Sequence, residues 1–220
     1  MINVKQLLDK VMSANQAGTA GAASPVEGLF KNPATLGALA GGGGLLAALM
    51  SNNKNVRRIG GIGGAAALGA VAFKAYNSWL AKNSGTASSP HVAALDFGAL
   101  PEATQEERSR AILSAMVAAA KADGLFDERE RRLILEETQK AGDAETTAWV
   151  QQEINKPQDV DAVARLAATP EMAVEIYLAS LLVIDEQNEA EKNYLDLLAA
   201  KMNLHPQLRE EIEKSQPLNQ

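Results

Sequence analysis

The chain has 220 residues, with 21 Lys/Arg against 27 Asp/Glu for a formal net charge of −6, and no cysteine. The lack of cysteine excludes disulfides, thiol nucleophiles and Cys-ligated zinc, and two histidines far apart, His91 and His205, argue against a His-based metal site. Residues 1–90 hold eight basic and two acidic residues (net +6), while residues 91–220 hold 13 and 25 (net −12). So acidic a second half argues against nucleic acid as its partner, because phosphate backbones are held by Lys and Arg.

In chain order, Val4, Leu7, Leu8 and Val11 share one helical face. That helix is open to two readings, lying on a membrane surface or packing against the rest of the protein. Residues 13–33, rich in Ala, Gly, Ser and Asn, read as a connector, so that 1–34 form an amphipathic helix plus linker. No signal peptide is expected, since the positions after Met1 are charged and amphipathic.

Two apolar, glycine-rich runs follow, Leu36 to Met50 around Gly41, and Ile59 to Phe73, which continues past Lys74 to Trp79 and Leu80. Each approaches the roughly 20 apolar residues of a spanning helix. Tyr76 and Trp79 stand where interfacial aromatics are expected. Gly37/Gly41 and Gly60/Gly64 have the spacing that lets helices approach closely in lipid, which implies self-association. Residues 35–80 therefore read as a helical hairpin in or on a membrane, with Leu36, Gly41, Met50, Ile59, Gly64, Phe73 and Trp79 among its lipid-facing or packing positions. The alternative is a flexible low-complexity linker, because four glycines in a row, Gly41–Gly44, disfavour a helix. A buried place in a soluble core is not expected, because the run offers few large side chains. The basic residues flanking the two runs nearly balance, so they do not decide which side of a membrane the acidic half faces.

Residues 81–103 read as a linker, with His91 exposed in it. From 104 to 216 the pattern predicts an all-α bundle of about seven helices, large enough to bury its own core. Thr104 to Glu107 has the form of a capping box, with Ile112, Leu113, Met116 and Val117 as the apolar stripe behind it. Asp127 to Glu130 starts a second helix, Asp143 a third, and Val160–Ala168 a short fourth. Thr169-Pro170 starts a fifth that is apolar almost all round, which marks it as the central helix. Asn188 to Glu191 and His205-Pro206 open the sixth and seventh.

An internal duplication underlies this half. Ala122-Asp123-Gly124-Leu125-Phe126-Asp127-Glu128-Arg129-Glu130 returns more loosely as Ile184-Asp185-Glu186-Gln187-Asn188-Glu189-Ala190-Glu191. Capping explains Asp127, Glu130, Asn188 and Glu191. Asp123 and Asp185 are different, because each ends a helix where the dipole disfavours an anion by about 0.3–1 kcal/mol. Carboxylates from the two loops could converge on a hard divalent cation such as Ca²⁺ or Mg²⁺. The spacing is not that of an EF-hand, and no Glu-x-x-His motif of a di-iron bundle is present. No catalytic constellation is found, so an enzyme is not expected.

The run Lys121-Ala-Asp-Gly-Leu-Phe-Asp-Glu-Arg-Glu130, with its second copy through Glu191 to Tyr194-Leu195, resembles TerB-like domains of the tellurite-resistance family. The whole chain is similar to uncharacterised proteobacterial inner-membrane proteins that carry such a domain. The resemblance implies an all-helical fold with duplicated acidic hairpins, a location at the inner membrane with the C-terminal domain cytoplasmic, and metal ligands at Asp123, Asp127, Glu130, Asp185 and Glu191. Two functions follow as expectations. One is a membrane-tethered module that binds or senses a divalent cation. The other is a non-catalytic scaffold for an unknown protein partner, its acids serving only as helix caps.

Overall fold

The computed structural model describes residues 3–13, 64–83, 100–124, 126, 128–141, 143–184 and 188–215. These residues form nine helices and, among the described residues, no strand. They are α1 (Val4–Ser13), α2 (Gly64–Asn83), α3 (Glu102–Ala120), α4 (Glu128–Ala141), α5 (Ala144–Asn155), α6 (Val160–Arg165), α7 (Pro170–Val183), α8 (Glu189–Lys201) and α9 (Pro206–Ser215). The seven helices expected after residue 100 are all present.

Helix α7 is the axis of the bundle. Every residue from Ala173 to Val183 is buried, as its unbroken apolar character requires. Its most extensive partner is α3, with α2, α8 and α9 also against it. Thr169 caps it by accepting from the Met172 amide at 3.2 Å, and Pro170 occupies the first turn, where its missing N–H costs nothing. Asp143 caps α5 through the Thr146 amide at 2.7 Å, a bond that holds its carboxyl below the ordinary range. The imidazole of His205 likewise accepts the Gln207 amide at the start of α9.

One expected start is corrected. Helix α3 begins at Glu102 behind Pro101, two residues before the capping box expected at Thr104. The Gln105 side chain donates to the Leu100 carbonyl at 2.6 Å and its amide to Pro101, so the first turn closes earlier.

Of the N-terminal helices, α1 takes one of its two expected readings and α2 departs from expectation. Val4, Leu7 and Leu8 of α1 are fully buried against the bundle, and α1 packs on α2, α3 and α4. Its free amides are met from a distance, since the Glu106 carboxylate of α3 accepts from the Val4 and Lys5 amides at 2.9 Å each. That places an anion on the positive end of the helix dipole. Of the two readings of α1, the described residues take the packed one.

Helix α2 holds the second half of the stretch expected in a membrane, including Gly64, Phe73 and Trp79. It lies instead against α7, α9 and α1. Ala72 and Ala75 are almost wholly buried, with Val71, Tyr76 and Trp79 packed partly against the core. Large side chains are not needed here, because alanines let the helix approach its neighbours closely. Lys82 and Ser78 then fasten its end to Glu211 of α9 at 2.5 and 3.2 Å, and the Trp79 ring lies 5.5 Å from that of His205. Among the described residues no helix is long and apolar enough to cross a membrane. The first apolar run, with Leu36, Gly41 and Met50, and the beginning of the second at Ile59 lie outside the described residues.

Two polar clusters tie the helices together, one buried and one at the edge of the core. Arg108 of α3 forms a two-pronged ion pair with Glu175 of α7, at 2.6 and 3.0 Å, with both side chains more than nine-tenths buried. The Tyr177 hydroxyl donates to Glu213 at 2.9 Å, while Arg209 lies over its ring and bridges Glu213 and Asp196. The second cluster ties α9 to α7 and α8.

Candidate functional site: the junction of the acidic loops

The first acidic loop is a tight turn at the end of α3. Amides of Lys121 and Ala122 reach back to Ala118 and Ala119, and the Gly124 amide donates to the Lys121 carbonyl at 3.1 Å. Gly124 closes the turn in the left-handed region, with φ of +72°, where a side chain would meet open space but a strained backbone. Gly124→Ala is therefore expected to cost about 1–2 kcal/mol, read by urea unfolding, with no steric contribution.

Lys121 ties this loop to the neighbouring helix. Its ammonium donates to the carbonyls of Ile154, at 3.1 Å, and Lys156, at the end of α5. A cation there is favoured by the helix dipole. Burial holds the amine below the usual lysine range, partly offset by the Glu153 carboxylate.

The second loop leaves α7 through Ile184, whose extended backbone ends the helix, and re-enters at Asn188, the cap of α8. The Asn188 side-chain oxygen accepts the Ala190 amide at 3.0 Å. Its amide nitrogen crosses to the first loop and donates to Asp123 at 3.4 Å. The two repeat units, 65 residues apart in the chain at this contact, thus meet through their equivalent loops. Asp123 is half-buried in that junction, and Glu191, one turn into α8, is buried with 8 % exposure.

Of the five expected ligands, only Asp123 and Glu191 have described side chains. Glu130 falls on α4 with its side chain undescribed, and Asp127 and Asp185 lie outside the described residues. Among the described residues, no group of three or more His, Asp or Glu side chains is gathered closely enough to hold a metal ion.

Sequence reasoning did not find two further features of the bundle. One is the Arg108–Glu175 pair, whose signal was present: Glu175 is the one charge between Met172 and Ile184 in a helix apolar on all sides. The other is a cleft of about 460 Å³ between α3, α5 and α6, with Lys121 on its wall. Three separate segments build it, and no single stretch of sequence announces it.

Comparison with known proteins adds family context to this geometry. The family model described as "Protein of unknown function (DUF533)" matches residues 34–216. The chain is also similar to an uncharacterized protein in the ampR 5′ region of Yersinia enterocolitica. The two are 33% identical over 110 residues, which is 50% of this chain and 79% of that protein. No solved structure matches.

Proposed function

Since the chain belongs to the DUF533 family of proteins of unknown function, we propose a role from its geometry, that of a non-catalytic TerB-like module that takes up a divalent cation between its two acidic loops. The observation that carries this reading is the contact of Asn188 with Asp123. It brings the two loops together through the Asn188 amide nitrogen and the Asp123 carboxylate, and the carboxylates that these loops carry are of the hard oxygen type that holds Ca²⁺ or Mg²⁺. A cation there would also offset the unfavourable meeting of Asp123 with the negative end of α3. Asp127, Glu130, Asp185 and Glu191 follow in or just after the same loops and are the remaining ligands of the proposal.

We place the module at the bacterial inner membrane, with its acidic part in the cytoplasm. The apolar run from Leu36 to Met50 is assigned to lipid, and the Gly37/Gly41 spacing to self-association. A second reading has its own support: Asn188 caps α8 and Gly124 closes a turn, ordinary duties that suit a protein-interaction scaffold.

Thermal unfolding of the full, metal-stripped chain separates the two. At 100 times its dissociation constant, a bound ion adds about 2.7 kcal/mol, a rise of several degrees. The expected result is such a rise with Ca²⁺ or Mg²⁺, lost in Asp123→Asn. No rise with Ca²⁺, Mg²⁺, Mn²⁺ or Zn²⁺ would overturn the cation reading and leave the scaffold.

A further inference from the structure

We infer that the cleft between α3, α5 and α6 is a binding site for an amphipathic organic carboxylate, an apolar body with one anionic end. Its volume of about 460 Å³ falls in the range of small-molecule sites, which in helical proteins form between helices. The floor is apolar and deep, with Ala111, Val117 and Val163 almost wholly buried. At the mouth stands Leu166, one of two large apolar side chains left exposed among the described residues. Half-buried Trp149 forms a further part of the lining.

Charge selects the sign of the ligand. This half of the chain carries a net −12, yet Arg110, Lys121, Lys156 and Arg165 all line the cleft, against three acids. Most of these charges are already engaged. Lys156 holds Glu153, Arg110 holds Glu106, and Lys121 is spent on backbone carbonyls. Arg165 is the exception, since it faces Asp159 only at 3.8 Å, beyond hydrogen-bonding distance, with 70 % of its side chain exposed. Its guanidinium fork is suited to a carboxylate, and it adjoins Leu166 in sequence. The carboxylate is therefore assigned to Arg165 and the apolar body to the floor beside Leu166. A deep apolar floor and a volume of this size favour a small molecule over a partner helix.

The test uses the full chain carrying Trp79→Phe, so that Trp149 alone reports, titrated with decanoate below micelle formation and in parallel with decanol. The expected result is a saturable change in Trp149 emission with decanoate. Arg165→Glu should weaken decanoate about tenfold or more, the loss of a charge-assisted contact, while leaving decanol unaltered. Leu166→Asp should remove binding of both, and circular dichroism should report intact folds, because both positions are exposed. Absence of saturation, decanol binding as tightly as decanoate, or indifference to Arg165→Glu would each overturn the assignment. Binding of an acidic amphipathic peptide without binding of decanoate would do so too, and would make the cleft a protein-docking groove.

Discussion

Arg108→Met is expected to lower the unfolding free energy by about 3–5 kcal/mol, because it leaves the Glu175 carboxylate buried without its partner. The double variant Arg108→Met/Glu175→Met should regain most of that loss, since removing both charges also removes the cost of desolvating them. Acidity supplies a second readout. Burial pushes the Glu175 carboxyl up, and Arg108 pulls it back. With Arg108 gone, the upward push of burial and of Glu171 is unopposed. The folded variant then binds its proton more tightly than the unfolded chain does. Its stability is fullest below the ordinary glutamate value and falls as pH rises through that value toward the raised one. The deficit against the parent should therefore shrink as pH is lowered from 7 toward about 4.3. Urea unfolding of the three chains at both pH values checks this. Equal losses in the single and double variants would mean that the pair contributes nothing beyond packing.

Leu7→Ala and Leu8→Ala are each expected to cost about 2–5 kcal/mol, the usual range for emptying a fully buried leucine site. Gln6→Ala, at an exposed position of the same helix, should change stability by no more than about 0.5 kcal/mol. The contrast bears on where α1 belongs. A helix spread on a lipid surface would show little difference among the three in urea unfolding without lipid. A helix seated in the bundle makes the two leucines stand out together.

Helices after residue 100 were legible because their ends carry local chemistry. Asp143, Thr169-Pro170 and Asn188 each satisfy their own helix amides, so spacing alone locates them. At Thr104 the same logic misplaces the start, because Gln105 and Pro101 close the turn two residues earlier. For α2, an alanine-rich apolar run looks the same to hydropathy whether lipid or protein covers it. Helix α2 meets α7, α9 and α1, and buries Ala72 and Ala75, only through the tertiary fold. The amides of α1 are answered by Glu106, a residue about a hundred positions away, which no local pattern connects to them. At the acidic junction, the repeat identified Asp123 and its loop. The cross-contact from Asn188 depends on how the two hairpins dock, and pairwise docking is not written in either copy.

The long reach of α1 also sets a timetable for synthesis. Val4, Leu7 and Leu8 leave the ribosome before every helix they pack on, and before Glu106 and Thr146, which hold the start of α1. At about 5–20 residues per second, the roughly 140 residues between Leu8 and Thr146 correspond to about 7–28 s. Through most of that interval the native surface that covers this apolar stripe, built from α2, α3 and α4, is incomplete. Whatever meets that stripe in those seconds, a chaperone or a lipid surface, meets it before the bundle can claim it.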